Sequence, residues 1–143
     1  MTVEKALVVG PSKIDIAYQR FGKDDAPPVF LLMGAGAQMI SWADGFCSEL
    51  VNRNLQIIRF DNRDIGLSTH IENVPVPDYE AASKGDFSTV PYSLSDMAAD
   101  VVGLMDYLNF QNKLSAQKNN DQLINSYGLQ QEHCKTDTER ANV

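Results

Sequence analysis

The sequence predicts an α/β fold: an N-terminal β-hairpin, a parallel strand–helix–strand unit and one further helix. Three observations carry this expectation. Two continuously apolar runs, 29–33 and 55–60, flank a stretch of helical periodicity. Residues 14–19 alternate apolar with mostly polar positions, the period of a half-buried strand. Ser93, with Asp96 three residues on, opens an amphipathic stretch.

Residues 3–9 (Val-Glu-Lys-Ala-Leu-Val-Val) can form the first strand, and Gly10-Pro11-Ser12 is a turn. Ile14, Ile16 and Tyr18 then alternate with Asp15, Ala17 and Gln19, so the two strands are expected to pair as an antiparallel hairpin. Lys23-Asp24-Asp25-Ala26-Pro27-Pro28 is a polar loop whose prolines exclude a helix. Residues 29–33 are apolar without interruption, as in a strand covered on both faces. Met39, Trp42, Phe46 and Leu50 share one helical face, with Ala43, Cys47 and Val51 beside them. Asn52 and Asn54 are its terminators. Residues 55–60 form the next buried strand, which makes a right-handed βαβ unit. A long polar connection, 61–92, leads to the last helix, capped by Ser93. Leu94, Met97, Val101, Met105 and Leu108 form its apolar stripe, widened by Ala98, Val102 and Leu104, with Asp96, Asp100 and Asp106 expected outside it.

The 143 residues suit one domain, and 43% hydrophobic with 22% charged residues is a globular composition. The net charge of −7 lies entirely within residues 1–109, where 15 acidic residues meet 8 basic ones. Such a domain repels phosphate backbones, so no nucleic-acid partner is expected. No run of about eighteen apolar residues exists, so no membrane span is expected. The first residues lack the basic-then-apolar pattern of a signal peptide. Cys47 reads as a buried helix residue and Cys134 as a tail residue. A disulfide framework is not expected, and a cytoplasmic setting fits.

The chain changes character near Phe110. Residues 111–143 hold ten Asn and Gln in 33 positions, whereas residues 1–110 hold eight. Too few apolar groups remain there for a core, so residues 1–110 are expected to fold and 111–143 to form a polar, disordered tail. Out-of-frame, spliced or rearranged sequence would explain the change. Glu132-His133-Cys134 is too isolated for a metal site, and neither metal nor cofactor is expected.

Four pieces, taken in order, resemble the N-terminal half of the α/β-hydrolase superfamily, in the esterase branch that includes aclacinomycin methylesterase-like proteins. They are Tyr18-Gln19-Arg20-Phe21-Gly22, Leu32-Met33-Gly34-Ala35-Gly36, Phe60-Asp61-Asn62-Arg63-Asp64-Ile65-Gly66-Leu67-Ser68, and the helix from Tyr92 to Leu108. The resemblance implies a truncated α/β-hydrolase fold, ester hydrolysis as the reaction class, and the loop at Gly34, Ala35 and Gly36 as one side of an oxyanion hole. Met33-Gly34 stands where the family commonly has His-Gly, and the Ala35 N–H would be the donor. Locally, the same residues also read as the small residues of a strand-to-helix turn. Asp61, Arg63 and Asp64 are read as a structural brace near the site rather than as catalytic groups.

The nucleophile elbow should follow the last helix. Instead the chain reads Asn109-Phe110-Gln111-Asn112-Lys113-Leu114-Ser115-Ala116, with no apolar strand and no glycine beside Ser115. Gly66-Leu67-Ser68-Thr69-His70 misses Gly-x-Ser-x-Gly because His70 replaces the last glycine. His70 reads as an exposed loop residue and His133 as a tail residue. No catalytic residue is identifiable, and the chain is expected to be inactive alone. The family's sheet order, 1-2-4-3 and onward, would leave residues 29–33 at the sheet edge, an apolar edge open to pairing. The expected partners are therefore a small ester, if the site is complemented, and a second copy or a full-length relative. The alternatives are a non-catalytic interaction module or a gene remnant. Marginal stability is expected of the isolated chain.

Overall fold

The computed structural model describes residues 2–34 and 36–110. The expected tail, 111–143, lies outside the described residues. Four strands form one sheet: β1 (Glu4–Val9), β2 (Ile14–Phe21), β3 (Pro28–Leu31) and β4 (Gln56–Phe60), in the order β1-β2-β4-β3. β2 runs antiparallel to both β1 and β4, and β3 runs parallel to β4. Three α-helices accompany it: α1 (Asp44–Asn52), α2 (Tyr79–Ser83) and α3 (Leu94–Tyr107). This is mixed α/β with the expected hairpin, the β3–α1–β4 unit and the following helix.

The sheet's α1 side is set by the strand period of two. Phe21 on β2 stands opposite Ile57 on β4, and Leu31 on β3 opposite Arg59. Phe21, Leu31, Ile57 and Cys47 of α1 form a buried cluster, with Val29, Trp42, Leu50, Val51 and Leu55 against it. One guanidinium shares this side. Arg59 lies over the Phe21 ring, donates to Gln19 Oε1 and the Trp42 carbonyl, and pairs with Asp44 Oδ1 at 2.7 Å. Its charge is thus met at the start of α1, where an acidic side chain also suits the helix dipole.

α1 ends as the asparagines suggested. Asn54 takes a left-handed φ of 61°, its N–H donates to Val51 O, and Leu55 N–H donates to Leu50 O. That pairing satisfies carbonyls that the last turn would otherwise leave open. α3 begins with the expected reciprocal cap between Ser93 and Asp96.

Five expectations are corrected. β2 is buried almost throughout rather than on alternate positions; it lies between β1 and β4, and α1 covers its Phe21 side. The third strand ends at Leu31, and Leu32 is exposed, because Asn62 Nδ2 draws the Met33 carbonyl out of the ladder. The helix expected from Met39 is broken. Met39–Ser41 is a 3-10 turn and α1 starts only at Asp44, since Trp42 is extended and its carbonyl, which a continuous helix would use, is taken by Arg59. The 61–92 connection contains α2, capped by the Asp78 side chain on Ala81 N–H. On α3, Asp100 is buried whereas Leu94 and Val102 are exposed. The helix is turned toward Arg63, which binds Asp100, and toward Gly10, against which Gly103 packs so closely that a Cβ would lie 2.5 Å from the Gly10 nitrogen. No helix among the described residues is long and apolar enough to cross a membrane.

Candidate functional site

The 33–39 loop leaves β3 and the 61–68 turn leaves β4. Because β3 and β4 are parallel neighbours, their C-terminal ends bring these segments together. Adjacent side chains at a strand end point to opposite sides, and Asp61 and Asn62 use this to hold both ends of the loop. Asn62 Nδ2 donates to the Met33 carbonyl at 3.0 Å, and the Met39 N–H donates to Asp61 Oδ1 at 2.7 Å. Between these points Ala37 N–H donates to Gly34 O, and Gly36 has a left-handed φ of 76°. Gly34 and Gly36 are exposed, and a Cβ at either would meet nothing within 4 Å. Gly34 and Gly36 therefore open onto free space. Ala35 lies outside the described residues.

The turn is the opposite. The second Asp61 oxygen accepts the Leu67 N–H at 3.0 Å. Gly66, at φ +56°, lies so close that a Cβ would sit 2.2 Å from Asp61 Oδ2. Ser68 is buried, donates to the Asp61 carbonyl and accepts the Ala17 N–H. Thr69 continues the seam, its hydroxyl accepting from Asp15 N–H. Both oxygen functions of Ser68 are thus used in closing the turn onto β2.

Arg63 is 4% exposed and makes two bonds of 2.7 Å to the Asp100 carboxylate, which is 5% exposed. It also donates to Ser12 Oγ and the Asp96 carbonyl and lies over the Tyr92 ring. The hydrogen bonds to Asp100 push its pKa up, against the opposing effect of burial. Asp64, left-handed at φ 64°, accepts from Ile71 N–H. Burial pushes the Tyr92 phenol up, and a hydrogen bond to Asp64 adds to it. Arg63 thus joins the end of β4 to the β1–β2 turn and to α3.

Two further side chains with possible chemistry are Cys47 and His70. Burial raises the Cys47 thiol, with Arg59 opposing, and the residue is sealed within α1's core face. His70 is exposed, its Nε2 3.2 Å from the Gly66 carbonyl. Among the described residues no serine or cysteine is hydrogen-bonded to a histidine. No group of three His, Cys, Asp or Glu stands ready for a metal among them. Ser115, His133 and Cys134 lie outside the described residues. Sequence reasoning missed Asn62, whose position next to Asp61 at a strand end was the available signal. It also missed the closeness of Gly66 to Asp61.

Solved structures share this fold. Over 76% of the chain the fold superposes on epoxide hydrolase A from Mycobacterium thermoresistibile with a TM-score of 0.55 and 22% identity, covering 28% of that chain. Over 75% it superposes on the enol-lactonase from Burkholderia xenovorans LB400 with a TM-score of 0.54 and 24% identity, covering 34% of that chain. In sequence, 79 residues are 32% identical to rhodomycin D methylesterase of Streptomyces peucetius. This chain is a relative of the α/β-hydrolases. The stretch matched to the methylesterase is 55% of this chain and 22% of that enzyme's length. No family model matches the chain. As an α/β-hydrolase relative it presents the front of the sheet, with the C-terminal ends of β3 and β4 where the loop and the turn meet.

Proposed function

We propose that this α/β-hydrolase relative carries the oxyanion-stabilising front of an ester hydrolase and is inactive without a nucleophile supplied from elsewhere. The observation behind this reading is the 33–39 loop, pinned at both ends and open in the middle. Ester cleavage develops negative charge on the carbonyl oxygen, and backbone N–H groups must already face that oxygen when the charge forms. Ala35 is the residue assigned the donor role. Gly34 and Gly36, without side chains, leave room for a substrate to reach the backbone. One donor of this kind contributes roughly 3–4 kcal/mol to the transition state in other hydrolases. Asp61, Arg63 and Asp64 brace the loop and do not touch the reacting atoms.

The choice of an ester rests on the methylesterase relative. The scaffold alone does not fix a reaction, and its structural neighbours include an epoxide hydrolase and a lactonase. The inactivity rests on the sequence, which contains no Gly-x-Ser-x-Gly, and on Ser68, whose hydroxyl is engaged in the turn. A chimaera tests the reading directly. Residues 1–109 replace the corresponding segment of the Streptomyces peucetius methylesterase, and hydrolysis of nitrophenyl acetate is measured. Turnover by the chimaera, with none by the present chain, is expected. A folded chimaera without activity would defeat the proposal.

A further inference from the structure

We propose that Asp61 and Asn62 are positioning residues that set the 33–39 loop, and that Gly66 is what admits the Asp61 carboxylate. The consequence for catalysis rests on the oxyanion reading above. The clamp itself does not.

The loop cannot fix its own shape. From 34 to 37 it reads Gly-Ala-Gly-Ala, and glycines lose the most conformational freedom on ordering. Within the loop itself, the described residues show one internal bond, Ala37 N–H to Gly34 O at 3.3 Å. Restraint comes from the neighbouring strand end. Asn62 takes the Met33 carbonyl and Asp61 the Met39 N–H, so the five residues 34–38 are closed between two adjacent side chains. The Asp61 carboxylate is itself immobilised, because its other oxygen holds Leu67 N–H. It fits only because residue 66 has no Cβ. Two hydrogen bonds to one buried carboxylate, each charge-assisted, are stronger than neutral ones. The Ala37 and Met39 N–H groups are thereby set before any substrate or partner arrives, which is what electrostatic pre-organisation requires.

Amide hydrogen exchange on the full chain, followed by NMR, tests this without any activity. Ala37 and Met39 report the loop, Leu67 the turn and Ile58 the sheet. Asn62→Ala is expected to speed Ala37 exchange by about tenfold with Ile58 unchanged. Asp61→Asn keeps one acceptor oxygen, so protection is expected to survive at only one of Met39 and Leu67. Gly66→Ala is expected to release both. If Asp61→Asn loosens the whole sheet, so that Ile58 also speeds up, Asn62→Ala decides alone. Unchanged exchange at Ala37 in Asn62→Ala overturns the clamp. A dead chimaera with the expected exchange pattern would defeat the function and leave the clamp standing. An active chimaera with unchanged Ala37 would do the reverse.

Discussion

The 61–68 turn and the 33–39 loop meet at the same end of the sheet and are built on opposite rules. The turn is rich in polar groups, and nearly all of them are engaged. Asp61 serves two N–H groups, Arg63 a buried carboxylate, and Ser68 closes onto β2. The loop has almost no functional side chains, and its glycines face open space. The segment that looks reactive is therefore structural, and the segment that looks inert holds the exposed backbone. In a buried setting a polar side chain is retained because its partners would otherwise be unsatisfied. Density of charged residues is a poor guide to chemistry here.

Substitutions can break this contrast. The largest effect is expected at the ion pair behind the turn. Asp100→Ala leaves the Arg63 guanidinium buried without its carboxylate and should cost roughly 3–5 kcal/mol in urea unfolding. A loss comparable to that of an exposed pair would show that the turn is not anchored as described.

The glycines separate the two regions more finely. Gly66→Ala places a Cβ on the Asp61 carboxylate at a left-handed φ, and roughly 1–3 kcal/mol of stability should be lost. Gly34→Ala meets nothing and should stay within about 0.5 kcal/mol. Equal costs at the two positions would erase the distinction.

Much of this was legible in the sequence. Apolar runs and helical periodicity identified the hairpin, the βαβ unit and α3, and Ser93 with Asp96 marked the start of α3. What the sequence concealed were side chain-to-backbone bonds between distant segments. Nothing local says that Arg59 will take the Trp42 carbonyl and break the helix there, or that Asp100 will be buried against Arg63. The stripe on α3 misled because Leu94 and Val102 stand exposed while a charged residue faces inward. Hydrophobic periodicity assumes that apolar groups are the buried ones, and a buried ion pair breaks that assumption. At the site, the glycines were readable as a strand-to-helix turn of small residues. Their restraint was not, because it comes from Asn62 and Asp61, more than twenty residues away.

Ser68 offers a smaller test. Ser68→Ala strands the buried Ala17 N–H and should cost about 1–3 kcal/mol. In the chimaera it should leave turnover per folded molecule unchanged. A selective loss of turnover would return Ser68 to the chemistry.

The smallest effect is on the alkaline side. The loop has no titratable side chain, whereas the turn is tied to Tyr92 through Asp64. Burial and Asp64 raise the Tyr92 pKa above its ordinary 10.0. The unfolded chain then releases that proton first, so stability is complete below pH 10 and falls above it. Tyr18, pushed up to about 12 by burial and then by Glu4, adds a limb between 10.0 and about 12. Tyr92→Phe and Tyr18→Phe should each flatten that fall in unfolding followed against pH, the Tyr18 share extending to about 12. An unchanged profile in both variants would mean that these phenols are not held as described.

The central proposal is that the 33–39 loop is one side of an oxyanion hole and that this chain is inactive alone. Hydrolysis of nitrophenyl acetate by the purified, folded chain tests it most directly. The account predicts release of nitrophenol at the buffer rate, with no acyl-enzyme burst. Sustained turnover abolished by a single serine or cysteine substitution would contradict it.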